Sequence, residues 1–186
     1  MKRILFFSIL LSLLLSSCLI LSFHPLYDKD TAVALPQLEG SWLVEEETWT
    51  IERNDDEELP GYYLTQYTKE QEVHYDLYIV QLGEFYFLDI VADTGDSPYS
   101  LSYPYPMHSF YKLQLSETDN PKLYIFDSEY LEELFQQRKI RIKHEYDPEI
   151  GIFVLTAPTE ELQQFMLKYG DDPRAFIEPA EMVRKE

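Results

Sequence analysis

The chain has 186 residues and 22.1 kDa, with 15 Lys+Arg against 34 Asp+Glu, four His and one Cys. A formal charge of −19 argues against nucleic acid and anionic lipid as charge-driven partners, because both need a basic face, and one Cys is too few for a disulfide framework or a Cys-rich zinc site. Hydrophobic residues make up 45% of the chain, with 15 Tyr, 11 Phe and two Trp among them, enough for one domain to bury a core of its own.

At the N-terminus, Lys2 and Arg3 precede an apolar run over residues 4–15, the charged n-region and hydrophobic h-region of a secretion signal. The run ends in Leu15-Ser16-Ser17-Cys18, which resembles the lipobox of bacterial lipoproteins: an aliphatic residue, two small ones, then the Cys that becomes the first residue. The one Cys of the chain stands at that place. The resemblance implies a signal peptide over residues 1–17, diacylglycerol on the Cys18 thiol and, usually, an acyl group on the new amine. The chain would then be held to a membrane by an N-terminal acyl anchor, since each buried CH₂ contributes about 0.8 kcal/mol and two or three chains suffice for stable attachment. Leu19, where an Asp marks inner-membrane retention in some such proteins, implies the outer membrane, facing the periplasm or the surface. A competing reading is an uncleaved membrane helix over residues 4–23, interrupted by Ser8, Ser12, Ser16, Ser17 and Ser22. Residues 18–38 are expected to form the anchor and tether, with the apolar stretch up to Tyr27 at the lipid interface or tucked against the domain and residues 28–38 as a flexible join. Residues 39–186 are expected to form a single β-rich domain.

Trp42 and Val44, then Trp49 and Ile51, alternate with polar neighbours and predict two strands or one bent strand. The acidic run Asp55-Asp56-Glu57-Glu58 lacks the alternation and Gly of a calcium loop and reads as a solvated turn, closed by Pro60-Gly61. Residues 62–68, 73–82 and 85–91, rich in Tyr, Val, Ile and Thr, predict an antiparallel meander with Gly83-Glu84 as its tight link. Residues 92–106 hold Gly95 and three Pro and predict an exposed loop. Strands follow over 107–115 and 122–126. Asp127 is an N-cap with Phe126 as hydrophobic staple, predicting a helix to about Gln137 with Leu131, Leu134 and Phe135 inward. A strand pair is predicted over 139–145 and 151–156, and Pro158 opens a second helix with Leu162, Phe165, Met166 and Tyr169 on one face, stopped by Gly170. Asp172-Pro173 is expected to cap one more turn. The fold class is mainly β: an antiparallel meander forming a curved sheet or partly closed barrel of about eight strands, with two short helices in the C-terminal half.

Gly40-Ser41-Trp42 resembles the Gly-x-Trp signature of lipocalins and related calycin barrels, where the Trp closes the barrel floor. The later elements of that signature, an Asp-containing turn and a C-terminal Arg stacked on the Trp, are not recognisable in the sequence. His24-Pro25-Leu26-Tyr27, Gly40-Ser41-Trp42, Glu47-Thr48-Trp49-Thr50, Phe87-Leu88-Asp89, His108-Ser109-Phe110 and residues 156–163 are together similar to a group of bacterial lipoproteins, from which no activity carries over.

Candidate chemistry is sparse. Asp93-Thr94-Gly95 resembles the active-site loop of aspartic peptidases, which needs a second carboxylate and hence a homodimer; the alternative is ordinary turn chemistry. His24, His74, His108 and His144 have no metal-ligand spacing, so no metal or other cofactor is expected. Nucleophile-elbow, Ser-x-x-Lys, His-Glu-x-x-His and phosphate-loop motifs are all missing. Tyr99, Tyr103 and Tyr105, interleaved with Pro98, Pro104 and Pro106, read either as a sugar- or partner-binding lip or as cover for a sheet edge. The expectation is a lipid-anchored, non-catalytic binding or assembly module, with an envelope protein as partner. The alternatives are a calycin-like carrier of a small hydrophobic ligand and an aspartic-type hydrolase. Contact residues would be Trp42, Trp49, Tyr99, Tyr103 and Tyr105.

Overall fold

A computed structural model of the chain describes residues 20–54, 58–92, 105–147, 152–177 and 179–185. Eight strands close into an antiparallel barrel: β3 (Gly40–Val44), β4 (Glu47–Arg53), β5 (Tyr62–Tyr67), β6 (Glu72–Leu82), β7 (Phe85–Ala92), β8 (His108–Gln114), β9 (Lys122–Ile125) and β12 (Ala180–Arg184). Each pairs with the next in chain order, and β12 closes the ring between β9 and β3. Closure removes the free edges that an open sheet would expose. The expected curved or partly closed sheet is thus a complete barrel. Among the described residues, no helix is long and apolar enough to cross a membrane.

The two-residue period that suggests the strands also sorts their faces. Trp42, Val44, Trp49, Ile51, Leu64, Leu77, Ile79, Leu88, Ile90 and Leu113 point inward and fill the barrel. The opposite faces of β6, β7 and β8 present Val80, Leu82, Phe87 and Phe110 to a second core outside the barrel wall. That outer core is covered by an insertion between β9 and β12, made of α1 (Ser128–Gln136), β10 (His144–Asp147), β11 (Ile152–Leu155) and α2 (Thr159–Tyr169). Asp127 caps α1, its Oδ1 accepting the N–H groups of Glu129 at 2.8 Å and Tyr130 at 3.2 Å. Leu131 and Leu134 are buried as the spacing predicts, and Leu162, Phe165, Met166 and Tyr169 form the buried stripe of α2.

Several elements differ from the expectations. β1 (Ile20–Ser22) runs parallel to β11 and meets β8 at Ser22 and His108, extending the sheet beyond the point where β9 leaves β8. The apolar leader therefore lies against the domain, with Leu21 and Leu26 buried. The stretch read as a flexible join carries β2 (Ala32–Val33), paired with β6, and a 3₁₀ turn over Pro36–Leu38 with Leu38 buried. The strand expected from residue 139 begins only at His144. Strand β12 has no counterpart in the sequence reading, because Met182 is its one buried side chain and charged residues surround it.

Candidate functional site

One end of the barrel is sealed. Trp42 Nε1 donates to Leu38 O at 2.8 Å, and the guanidinium of Arg184 lies 4.2 Å from the Trp42 ring centroid. Arg184 also donates to Glu39 O at 3.0 Å and Gln37 O at 2.7 Å, tying the 3₁₀ turn over the barrel end. The stacked Arg that the sequence does not reveal is thus present, supplied by the last strand. Gly40 makes room for it: its φ is +115°, and a Cβ there would stand 2.8 Å from Arg184 Nη1. Tyr62 closes the same end, its hydroxyl accepting the Leu35 N–H at 2.8 Å, and burial pushes its phenol up from the ordinary value.

The other end is open. Between the β3–β4 hairpin and strands β9 and β12 lies a cavity of about 180 Å³ whose apolar wall includes Val44, Trp49, Tyr111, Leu123, Ile125 and Ile177. Glu45, Glu47 and Gln66 also line it, and Gln66 donates to the Glu47 carboxylate and accepts from Tyr75 Oη at 2.8 Å. Trp49 meets Tyr111 edge to face at 6.3 Å. Its Nε1 is buried without a hydrogen-bond acceptor among the described residues, a situation that costs about 1–3 kcal/mol and is rare in folded proteins.

A second, larger depression of about 760 Å³ lies on the outer wall over β5–β8. It takes in His108, whose Nδ1 is 2.7 Å from the buried Asp89 Oδ1. The other carboxylate oxygen accepts the Leu26 N–H at 2.6 Å. Burial pushes the Asp89 carboxyl up, opposed by the hydrogen bond and charge of His108 and by the backbone N–H groups of Leu26 and Tyr27. Tyr27 stacks on Tyr78 at 3.8 Å, and burial together with the neighbouring Tyr78 phenol raises its own phenol.

The sequence-predicted residues are scattered over these features. Trp42 belongs to the sealed end and Trp49 to the open one, although they are direct cross-strand neighbours. Tyr105 is 66% exposed and touches Phe23. Cys18, Asp93-Thr94-Gly95, Tyr99, Tyr103 and the Asp55–Glu57 part of the acidic run lie outside the described residues. His24, His74 and His144 join no metal-binding group; among the described residues no three His, Cys, Asp or Glu side chains converge for one. A packed, hydrogen-bonded His108 is what its aromatic and Pro neighbours suggest, and the structure shows it buried; its partner Asp89 is what sequence reasoning missed, and the signal was a polar residue in each of two strands whose neighbours on the same face, Phe87 and Phe110, are apolar. No family model, curated protein or solved structure matches the chain.

Proposed function

We propose that the chain is a non-catalytic binding protein of the cell envelope that carries a small hydrophobic molecule in the open mouth of its barrel, in front of Trp49. The observation that carries this reading is the mouth itself: a cavity of about 180 Å³, with aromatic and aliphatic side chains on its wall as well as Glu45, Glu47 and Gln66, beside a buried indole N–H that lacks an acceptor among the described residues. An apolar body with one hydrogen-bond acceptor fits that chemistry, since the cavity removes the body from water and the acceptor satisfies the donor. The volume suits a ring or a short acyl tail; the rest of the interior is taken by the side chains of the barrel itself, so a long chain would leave most of its length outside. Attachment through acylated Cys18 would keep such a ligand near the lipid surface, and the acyl anchor remains part of the same reading.

The test is native mass spectrometry of the detergent-extracted protein, with titration of a small aromatic ketone followed by tryptophan emission. The expected result is a retained hydrophobe or saturable quenching by the ketone, lost in Trp49→Phe and in Ile177→Trp, which fills the mouth from its exposed rim. Ligand-free spectra from several preparations, with quenching that Ile177→Trp leaves unchanged, would end the carrier reading.

A further inference from the structure

The barrel closes its own edges, but the side sheet of β1, β11 and β10 keeps one. β10 ends that sheet, and no described strand pairs with its outer side. The Thr156 N–H donates to Lys143 O at 2.9 Å, so the odd-numbered residues of β10 turn their main-chain groups toward β11. Ile142, His144 and Tyr146 turn theirs outward, a row of donors and acceptors open to another strand. Ile142 O accepts from His144 Nδ1 at 3.1 Å and keeps a second lone pair.

The side chains follow the same period. Arg141, Lys143 and Glu145 are exposed on one face. On the other, Ile142 is buried, the His144 ring stacks on Phe135 at 3.6 Å and Tyr146 packs on Phe153 at 4.6 Å. Every second residue from Arg141 to Asp147 reads positive, positive, negative, negative. Neither Lys143 nor Glu145 has an ion-pair partner among the described residues. Charges along an edge ordinarily keep a second strand away. This order of signs instead admits one partner, an antiparallel copy of itself.

In such a pairing outward residues must face outward residues, which restricts the register. Centring it on Ile142 or Lys143 sets basic residues against each other, Arg141 against Lys143 or Lys143 against its own copy. Centring it on Glu145 or Tyr146 does the same with acids. Centring it on His144 sets Lys143 against Glu145 and Arg141 against position 147, an Asp, each twice by symmetry. Ile142 then meets Tyr146 on the other face.

We propose that β10 is a homodimerisation edge, at which two copies pair antiparallel about a two-fold axis at His144 and join their side sheets into one. About six main-chain hydrogen bonds hold the strands, and the signs of the side chains select the register. One short strand makes a small interface, so the dimer is reversible. The axis is normal to the sheet and keeps both β1 strands at one height along it, as two copies anchored in one bilayer would require. The pairing is independent of any ligand in the mouth.

Sedimentation equilibrium of the detergent-extracted protein, in density-matched detergent over about 1–200 μM, should show a reversible monomer–dimer equilibrium. Lys143→Glu or Glu145→Lys alone turns both attractive pairs repulsive and should weaken the dimer by about tenfold. Both positions are exposed, so the changes leave the cores intact. Mixing the two single variants should restore association as a heterodimer, and so should both reversals in one chain. A wild type that stays monomeric, single variants that dimerise like the wild type, or single variants that do not recover on mixing would overturn the assignment.

Discussion

Arg184 shows how one residue can be visible in a sequence while its role is not. It sits in an exposed, charged C-terminal stretch with nothing local to mark it, and only closure of the barrel brings it over Trp42. Gly40 and Trp42 were legible because they lie two residues apart; their partner was not, because its hydrogen bonds reach back 145 and 147 positions. Arg184→Ala removes a cation–π contact and two hydrogen bonds, and a loss of about 1–2 kcal/mol is expected in urea unfolding, with a shift in tryptophan emission. Lys should recover little of it, since the planar fork that reaches two carbonyls is lost. A second cluster gives a pH signature. Asp172 accepts from Arg174 Nη2 at 2.8 Å and from Tyr130 Oη at 2.7 Å, which hold its carboxyl well below the usual carboxylate range. The depressed value means that this stabilisation is present above the unfolded value of 3.8 and is lost as pH falls below it. Tyr130 is pushed up to about 12 by burial and by Asp172, so its share is complete below pH 10 and fades as pH rises through 12. Asp172→Asn should therefore flatten the acid limb of the stability profile below pH 4, measured by thermal melts across pH, and ultraviolet titration of the wild type should show Tyr130 ionising later than the exposed tyrosines.

Among the elements, those with a strong period were legible and those fixed by pairing were not. The stripes of α1 and α2 and the alternation of β3 to β8 follow from their own residues. β1 is three residues long and reads as part of an apolar leader; β12 reads as a charged tail. Both exist because a neighbouring edge was waiting, β11 and β8 for the first, β9 and β3 for the second. The leader is held by more than its strand. Asp89, in the outer face of β7, accepts the Leu26 N–H, while Gln163 of α2 donates to Leu26 O at 2.9 Å and Thr159 to Pro25 O at 2.7 Å. Asp89→Ala leaves buried N–H groups and the His108 ring without their acceptor, so a destabilisation of about 3 kcal/mol is expected. Hydrogen exchange should report it locally, with the Leu26 and Tyr27 amides losing protection before those of the barrel strands. If the barrel amides lose protection first, the pair serves the barrel and not the leader.

At the scale of the whole molecule, the position of β1 bears on how the domain would stand on a membrane. Cys18 precedes Ile20, the first residue of β1, by two positions, and two extended residues span at most about 7 Å. An acyl anchor on Cys18 would thus leave almost no slack, and the sheet edge formed by β1, β11 and β10 would lie at the headgroups. Cleavage before Cys18 would remove Lys2 and Arg3 and no acid, leaving 13 Lys+Arg against 34 Asp+Glu, and that charge of −21 opposes the approach on an anionic surface, so the hydrophobic energy of the acyl chains has to outweigh a repulsion that a longer tether would avoid. Intact-mass analysis of the membrane form is expected to show a chain beginning at Cys18 with acyl mass added, and Cys18→Ala to abolish it; a full-length, unacylated product would remove the premise. With the premise in place, neutron reflectometry on a supported bilayer should find the protein layer within about 10 Å of the headgroups, and six Gly-Ser residues inserted after Leu19 should move it outward. That insertion should also relieve the repulsion, so that raising the anionic lipid fraction displaces the native layer more than the extended one. Equal displacement of the two would mean that the β1 edge does not face the bilayer, whatever holds the N-terminus to it.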